Sequence, residues 1–385
     1  MAFDFEKALR RWTSQHTDLV ELKNSRVRDA GGVYERWENP VLTASHAPLF
    51  WRYDLDRRRN PFLLERHGLA AVGAAGAVER AGKICLVVRL VARDGGSFFA
   101  VAESDNGVDN FHFWDHPLRL PEGDAPDTGL SDMRLTAHED GWLYGVFGAS
   151  RGEADGETRF GIVRTHDLVS WERLADLRSR GPAPASVVLH PELVRGRYAF
   201  HTQAGSAAEP GAPKALAIAF CENVEQAELD SAGAQIGPGL RPSAPGAPPL
   251  RTARGWLSLA VASHATPDGA RSVLTVHVSD PEDPSRVTAA PAAYLLRLGD
   301  GASGATPAPT CAGAVLRATG EVLVYYSAEG GLHVATSSLE RLLDYATQPP
   351  ADAAGSDAAR RSAFVERNLK LLARTKGKAY RGLRS

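Results

Sequence analysis

Only three cysteines and two methionines occur in the 385 residues. Cys85, Cys221 and Cys311 are far apart, without metal-ligand spacing, and each lies in or beside an apolar stretch, as buried thiols do. A reducing compartment fits. Neither sign of charge is in excess: 44 Lys and Arg stand against 46 Asp and Glu, for a net charge of -2 and a pI near 6.6. No broad basic surface offers itself to nucleic acid, and neutral solutes are the more natural partners. Apolar runs of membrane-spanning length are also missing, and Met1-Ala2-Phe3-Asp4-Phe5-Glu6-Lys7 lacks the apolar core of a secretion signal. The composition predicts a soluble, cytoplasmic protein. No nucleotide-binding glycine loop or Ser-His-Asp order stands out, and His112, His116 and His138 lie among acids at no metal-binding spacing, so no metal and no organic cofactor is expected.

With 43% hydrophobic residues the chain can bury a large core. Five Gly-led apolar segments recur at intervals of about 55 to 65 residues, a period suited to a repeat architecture: Gly82 to Arg89, Gly141 to Phe147, Gly196 to Thr202, Gly255 to Val261 and Gly320 to Tyr326. Each is followed by a second strand candidate, namely Ser97 to Ser104, Arg159 to Arg164, Ala215 to Cys221, Ser272 to Ser279 and Gly331 to Ala335. Antiparallel pairs repeated five times predict an all-β, five-bladed propeller, because the unit is long enough for a four-stranded sheet and radial packing buries both blade faces.

Helices are expected only at the ends. Phe5 to Leu22 is amphipathic, with Leu9, Trp12, Leu19 and Leu22, and Ser362 to Ala373 carries Phe364, Val365, Leu369 and Leu372. These helices are candidate packing surfaces for the propeller or for another copy of the chain in a homo-oligomer. Stretches 203 to 215, 236 to 250, 299 to 313 and 350 to 359 are rich in Ala, Gly and Pro and read as loops or linker. The expected organisation is a helical extension over 1–30, a propeller over 31–348, and a linker with a helix over 349–385.

The segment Asp127 to Thr136 sits just ahead of the strand signal Gly141 to Phe147 and holds Asp132. A carboxyl beside apolar residues at a strand start suits a general acid in glycosidic cleavage, whereas the plain alternative is a turn or cap aspartate.

Tyr34 to Thr43, Phe50 to Leu55, Ser97 to Ser104, Asp132 to Thr136 with His138 to Trp142, and His333 to Ser337 together resemble the β-mannoside phosphorylases of glycoside hydrolase family 130. The resemblance runs in order along nearly the whole chain. It implies a propeller with an axial active site, inverting phosphorolysis that releases α-mannose 1-phosphate, Asp132 as the sole protein acid, and inorganic phosphate as co-substrate and nucleophile. One carboxyl suffices because phosphate needs no base to activate it. Arg151, Arg164 and His190 match the phosphate-binding donors, and Arg52, Tyr53, Asp54 and Arg89 the sugar contacts. Trp51 is either a stacking face for sugar or part of the core.

Several positions depart from the family pattern. Gly73 to Ala77 stands where the family carries an amide-bearing turn before the first blade strand, Val91 replaces an acid, and Val261-Ala262 a His-Gly pair. Gln203-Ala204 replaces an Arg-Pro pair, and Gly304 to Ala308 a polar segment. Polar ligands have become small or apolar residues. Two functions stay open on this reading: a mannoside phosphorylase of altered specificity with a sparsely furnished sugar subsite, and a catalytically impaired propeller that binds carbohydrate or a protein.

Overall fold

The structure, a computed structural model, describes residues 3–27, 32–123, 127, 129–150, 158–181, 184, 186–204, 215–230, 232–237, 243–266, 269–291, 293–300, 309–348, 362 and 365–371. Five antiparallel sheets follow one another along the chain, each a propeller blade with an inner strand, two long middle strands and outer strand segments; the fourth has six strands. The inner strands are Leu69–Arg80, Arg134–Ala137, Val187–Leu189, Ala244–Pro245 and Cys311–Leu316. Second strands are Lys83–Ala92, Leu143–Ser150, Tyr198–Ala204, Gly255–Thr266 and Glu321–Ala328, and third strands Ser97–Ser104, Thr158–Thr165, Ala215–Cys221, Gly269–Ser279 and Gly331–Ser338. The Gly-led segments are thus the second strands. Their turns explain the repeat, since a tight hairpin needs left-handed backbone, which glycine adopts without a Cβ clash; φ is 76° at Gly196 and 82° at Gly320.

The ring closes by exchange. Glu35–Arg36, from before the first blade, pairs with Thr336 and Ala335 as the outer strand of the fifth. Trp37 Nε1 donates to Thr336 Oγ1 at 3.3 Å, and Leu42 bridges to Leu332, tying the chain's start to its last blade.

Inner strands run parallel around the axis. Gly73 neighbours Asp132, and Gly76 neighbours Met133 and Leu135. Thr136 Oγ1 then donates to the Leu189 carbonyl and Glu139 N to the Pro191 carbonyl. Each blade therefore has a leading end, where the inner strand begins, and a trailing end, where it stops.

Helix α1 (Phe5–Val20) starts one residue after Asp4, whose carboxylate accepts from Lys7 N at 3.1 Å. Phe5 and Val20 are buried and Trp12 stacks on Tyr53, so its apolar face is turned toward the propeller. Residues 1–348 form one compact unit that includes this helix, and 349–385 form a second unit, in which 365–371 are helical.

Two sequence expectations differ from the fold. Helix α2 (Leu49–Arg52) precedes the first blade and helix α3 (Leu339–Ala346) follows the last strand of the fifth, both away from the ends of the chain where helices were expected. Ser338 caps the start of α3, accepting from Arg341 N at 3.2 Å. Stretches 236–250 and 299–313, read as loops, contain inner strand Ala244–Pro245 and the start of Cys311–Leu316. Small residues are required there because inner strands pack closely at the axis: a Cβ on Gly313 would overlap the Ala75 carbonyl oxygen and lie 2.8 Å from Ala77 Cβ. All three cysteines are buried and free. No helix among the described residues is long and apolar enough to cross a membrane.

Candidate active site

Asp132 immediately precedes the inner strand of blade 2, at its leading end, and is 7% exposed. Arg89, on the second strand of blade 1, donates from Nε to Asp132 Oδ1 at 2.8 Å and from Nη1 to the Leu130 carbonyl at 3.0 Å. One guanidinium thereby fixes both the carboxyl and the backbone that carries it, across a blade boundary.

The space for this pair comes from Gly73. Gly73 to Ala77 is not a turn before the first strand; it lies inside the inner strand of blade 1, with a register shift between Val72 and Ala75. Bulges of this kind re-aim side chains beside functional sites. A Cβ at Gly73 would overlap Asp132 Oδ1 and stand 2.9 Å from Arg89 Nε. A side chain at Gly73 would force the ion pair to shift. Gly73→Ala is therefore expected to displace the carboxyl and lower kcat by about 10- to 100-fold, the usual cost of misplacing a reacting group by about an ångström. Steady-state kinetics with a parallel melting curve would check it; unchanged kcat would mean that the pair's position is catalytically irrelevant.

Arg134 follows Asp132 by two residues, so the two side chains leave the strand on the same face. It is half-buried and its Nε donates to the Gly246 carbonyl at 2.9 Å. Burial lowers its pKa from the ordinary arginine value, opposed by the charge of Asp132 and by Cys311. An anion placed there would relieve that desolvation. The sequence reading quoted Arg134 without giving it a role; its spacing from Asp132 is the signal that could have found it.

The sequence-predicted sugar residues are divided. Arg52 Nε pairs with Glu65 at 2.6 Å, Arg93 reaches the same carboxylate at 3.2 Å, and the Arg52 carbonyl accepts from Arg66 N and His67 N. This group lies where the chain enters the leading end of blade 1. Tyr53 has its ring against Trp12 at 5.0 Å, and Asp54 accepts from Asp56 N while pairing with Arg59 at 3.1 Å. Trp51 packs among Phe50, Phe98 and Phe113, and its Nε1 donates to the Asp115 carbonyl at 2.8 Å. Trp51 is half-buried there.

Neither Arg164 nor His190 is brought to Asp132. Arg164 pairs in register with Tyr144 near the trailing end of blade 2, where Glu172 binds it through two bonds of 2.8 and 2.9 Å and Glu225 adds a third at 3.3 Å. Its guanidinium lies 4.5 Å from the centre of the Trp142 ring, and the Glu172 bonds raise its pKa above the ordinary arginine value. His190 follows the inner strand of blade 3, whereas Asp132 precedes that of blade 2, so it too is at the trailing end. Its Nδ1 faces the Glu192 carbonyl at 2.9 Å, and burial lowers its pKa to about 4, with that hydrogen bond opposing. A neutral buried imidazole is a poor anchor for phosphate. Arg151 and Gly304 to Ala308 lie outside the described residues.

A cavity of about 440 Å³ opens at the trailing end of the axis, bordered by Thr136, Glu139, Glu192, Arg251 and Trp256. It is not the Asp132 site. Its carboxylates are engaged, Glu192 by Arg251 at 3.3 Å and Glu139 by Leu193 N at 2.6 Å.

No family model matches the chain. Among curated proteins it is 39% identical to the 4-O-β-D-mannosyl-D-glucose phosphorylase of Bacteroides fragilis, over 93% of this chain and 96% of that one. The chain belongs to the mannoside phosphorylases of glycoside hydrolase family 130. Solved structures agree on the fold. The β-1,2-mannobiose phosphorylase of Listeria innocua superposes with a TM-score of 0.62 at 16% identity, over 84% of this chain and 99% of that one. A family 130 glycoside hydrolase acting on β-1,2-mannosidic linkages of Candida mannan gives 0.56 at 14% identity, over 87% and 96%. At the Asp132 end, this family 130 member presents one buried carboxyl, one arginine bonded to it and a second arginine beside it.

Proposed function

We propose that the protein is a phosphorylase that cleaves a mannosyl-glucose-like β-mannoside with inorganic phosphate, with inversion, to give α-mannose 1-phosphate. The observation that carries the reading is the Asp132 and Arg89 pair at the leading end of the axis, in a chain 39% identical to a mannosyl-glucose phosphorylase. Arg89 engages Oδ1, so Oδ2 is the oxygen assigned the proton. In the reaction that proton passes, by way of the mannose 3-hydroxyl, to the glycosidic oxygen as a phosphate oxygen bonds to the anomeric carbon from the opposite face. The bond from that carbon to the leaving oxygen breaks, and the glucose-like sugar departs with the proton. Asp132 is left as a carboxylate beside Arg89, whose charge stabilises it.

Arg134 is the described cation best placed to meet phosphate, with Arg151 a further candidate by resemblance. Arg52 and its Glu65 partner are assigned to the sugar side. The replaced family positions favour an altered preference among β-mannosides: Val91 and Ala262 are both buried, and neither side chain offers a hydrogen bond to a hydroxyl. Each neutral bond of that kind contributes about 0.5 to 1.5 kcal/mol.

Glucose release from mannosyl-glucose, measured with and without phosphate, tests the assignment. At least about a hundredfold dependence on phosphate is expected for a nucleophile that water replaces poorly. Release at equal rates in both conditions would make the protein a hydrolase, and no release from any β-mannoside would leave the propeller a binding module.

A further inference from the structure

Four of the five contacts between neighbouring blades are filled by large apolar clusters. Blades 5 and 1 meet through Leu86, Val88, Leu323 and Tyr325, and blades 1 and 2 through Val87, Phe99, Leu135 and Phe147. Blades 2 and 3 share Val146, Ile162, Leu189 and Phe200, and blades 4 and 5 share Leu257, Val276, Val322 and Val324. Strand alternation sends the remaining faces of blades 3 and 4 toward each other. Among the described residues the apolar cluster there is small: Val194, Ala199 and Ile218, with Phe220 packed against it.

Buried Val188, Leu216, Trp256 and Val273 share these strand faces, and polar rings stand among them. His190 and His201 stack at 5.4 Å, the edge of Trp256 meets His190 at 4.2 Å, and His277 faces Ser258 across paired strands. All three histidines are buried, and their Nε2 atoms, with Ser258 Oγ and Ser279 Oγ, have no hydrogen-bond partner among the described residues. Among the described residues, the titratable groups acting on these rings are basic or imidazole. His138 and Arg251 act on His190, while His190 and His277 act on His201. Of the nearby carboxylates, Glu192 is paired with Arg251 at 3.3 Å and offers His190 its backbone carbonyl, and Glu139 accepts from Leu193 N at 2.6 Å.

We propose that the interface between blades 3 and 4 is an acid-labile seam, the place where the ring opens first when the pH falls below neutrality. The other four interfaces are mainly apolar; His138, against Tyr144 and Tyr198, has Asp140 within 3.1 Å, and His333, stacked on Tyr326, is only half-buried, whereas a proton on any of the three rings here would be a buried, unpaired charge. Burial is the leading cause that lowers the pKa of all three: His190 and His277 fall from 6.5 to about 4, and His201 well below 6.5. The sign follows from linkage. The opened state, with ordinary imidazoles, binds protons near pH 6.5 while the closed ring does not. Closure is therefore full above that pH and is lost progressively as the pH falls toward the folded values.

Hydrogen exchange of the intact protein at about pH 7.5 and about pH 5.5, corrected for intrinsic rates, tests this. Strands Tyr198–Ala204, Ala215–Cys221 and Gly255–Thr266 should exchange at least about tenfold faster at the lower pH, with Lys83–Ala92 unchanged. Replacing the rings, by His201→Phe with His277→Leu, should abolish the difference. Uniform acceleration, opening first between blades 5 and 1, or no acceleration would overturn the proposal, as would a folded double variant that keeps the acid response. If the double variant fails to fold, the wild-type exchange map decides alone.

Discussion

Asp132→Asn is expected to lower phosphorolysis by about 10²- to 10⁴-fold, the range a positioned general acid supplies, while the melting temperature changes little. Asparagine keeps the size of the side chain, and its carbonyl oxygen can still accept from Arg89 Nε, which reaches Asp132 at 2.8 Å in the wild type. What it lacks is a transferable acidic proton. Loss of the negative charge leaves Arg89 less well compensated, but that side chain is not sealed from solvent and also donates to the Leu130 carbonyl. Kinetics together with circular dichroism separate chemistry from folding. Near-wild-type turnover in a folded variant would remove Asp132 from the reaction.

Removal of residues 1–38 is expected to cost most of the propeller's stability. The deleted segment holds the closing strand Glu35–Arg36, the Trp37 bond to Thr336, and buried Phe5 and Val20 of α1. A handful of hydrogen bonds at about 1 kcal/mol each and two buried apolar side chains at about 1.5 to 3 kcal/mol each give about 6 to 9 kcal/mol. Whole domains are stable by about 5 to 15 kcal/mol, so the truncated chain should be largely unfolded or aggregated. A soluble truncated chain with an unchanged denaturation midpoint would show that ring closure does not depend on the exchanged strand.

The middle strands of every blade were legible because their glycine turns impose a local backbone requirement, as at Gly196 and Gly320. Inner and outer strands were not. Several are two to four residues long, as at Arg134–Ala137 and Glu35–Arg36. The axis also demands small residues, so Gly73 to Ala77 and Cys311 to Gly313 read as turn or loop although they are tightly packed strand segments. That omission explains the uneven reading of the site. Asp132 and Arg89 could be named from the chain, but which end of a blade a residue occupies depends on whether it precedes or follows an inner strand. Without those strands, Arg164 and His190 could not be separated from the Asp132 end, nor could the room that Gly73 makes for the ion pair be foreseen. Arg134, two residues after Asp132 and so on the same face of extended chain, needed only that parity to be noticed.

Proton and phosphorus NMR of the first product formed from mannosyl-glucose and phosphate tests the central claim most directly. The Asp132-centred inverting mechanism predicts α-mannose 1-phosphate from the wild type and none from Asp132→Asn. A β-configured phosphate, free mannose, or the same product at the same rate from the variant would contradict it.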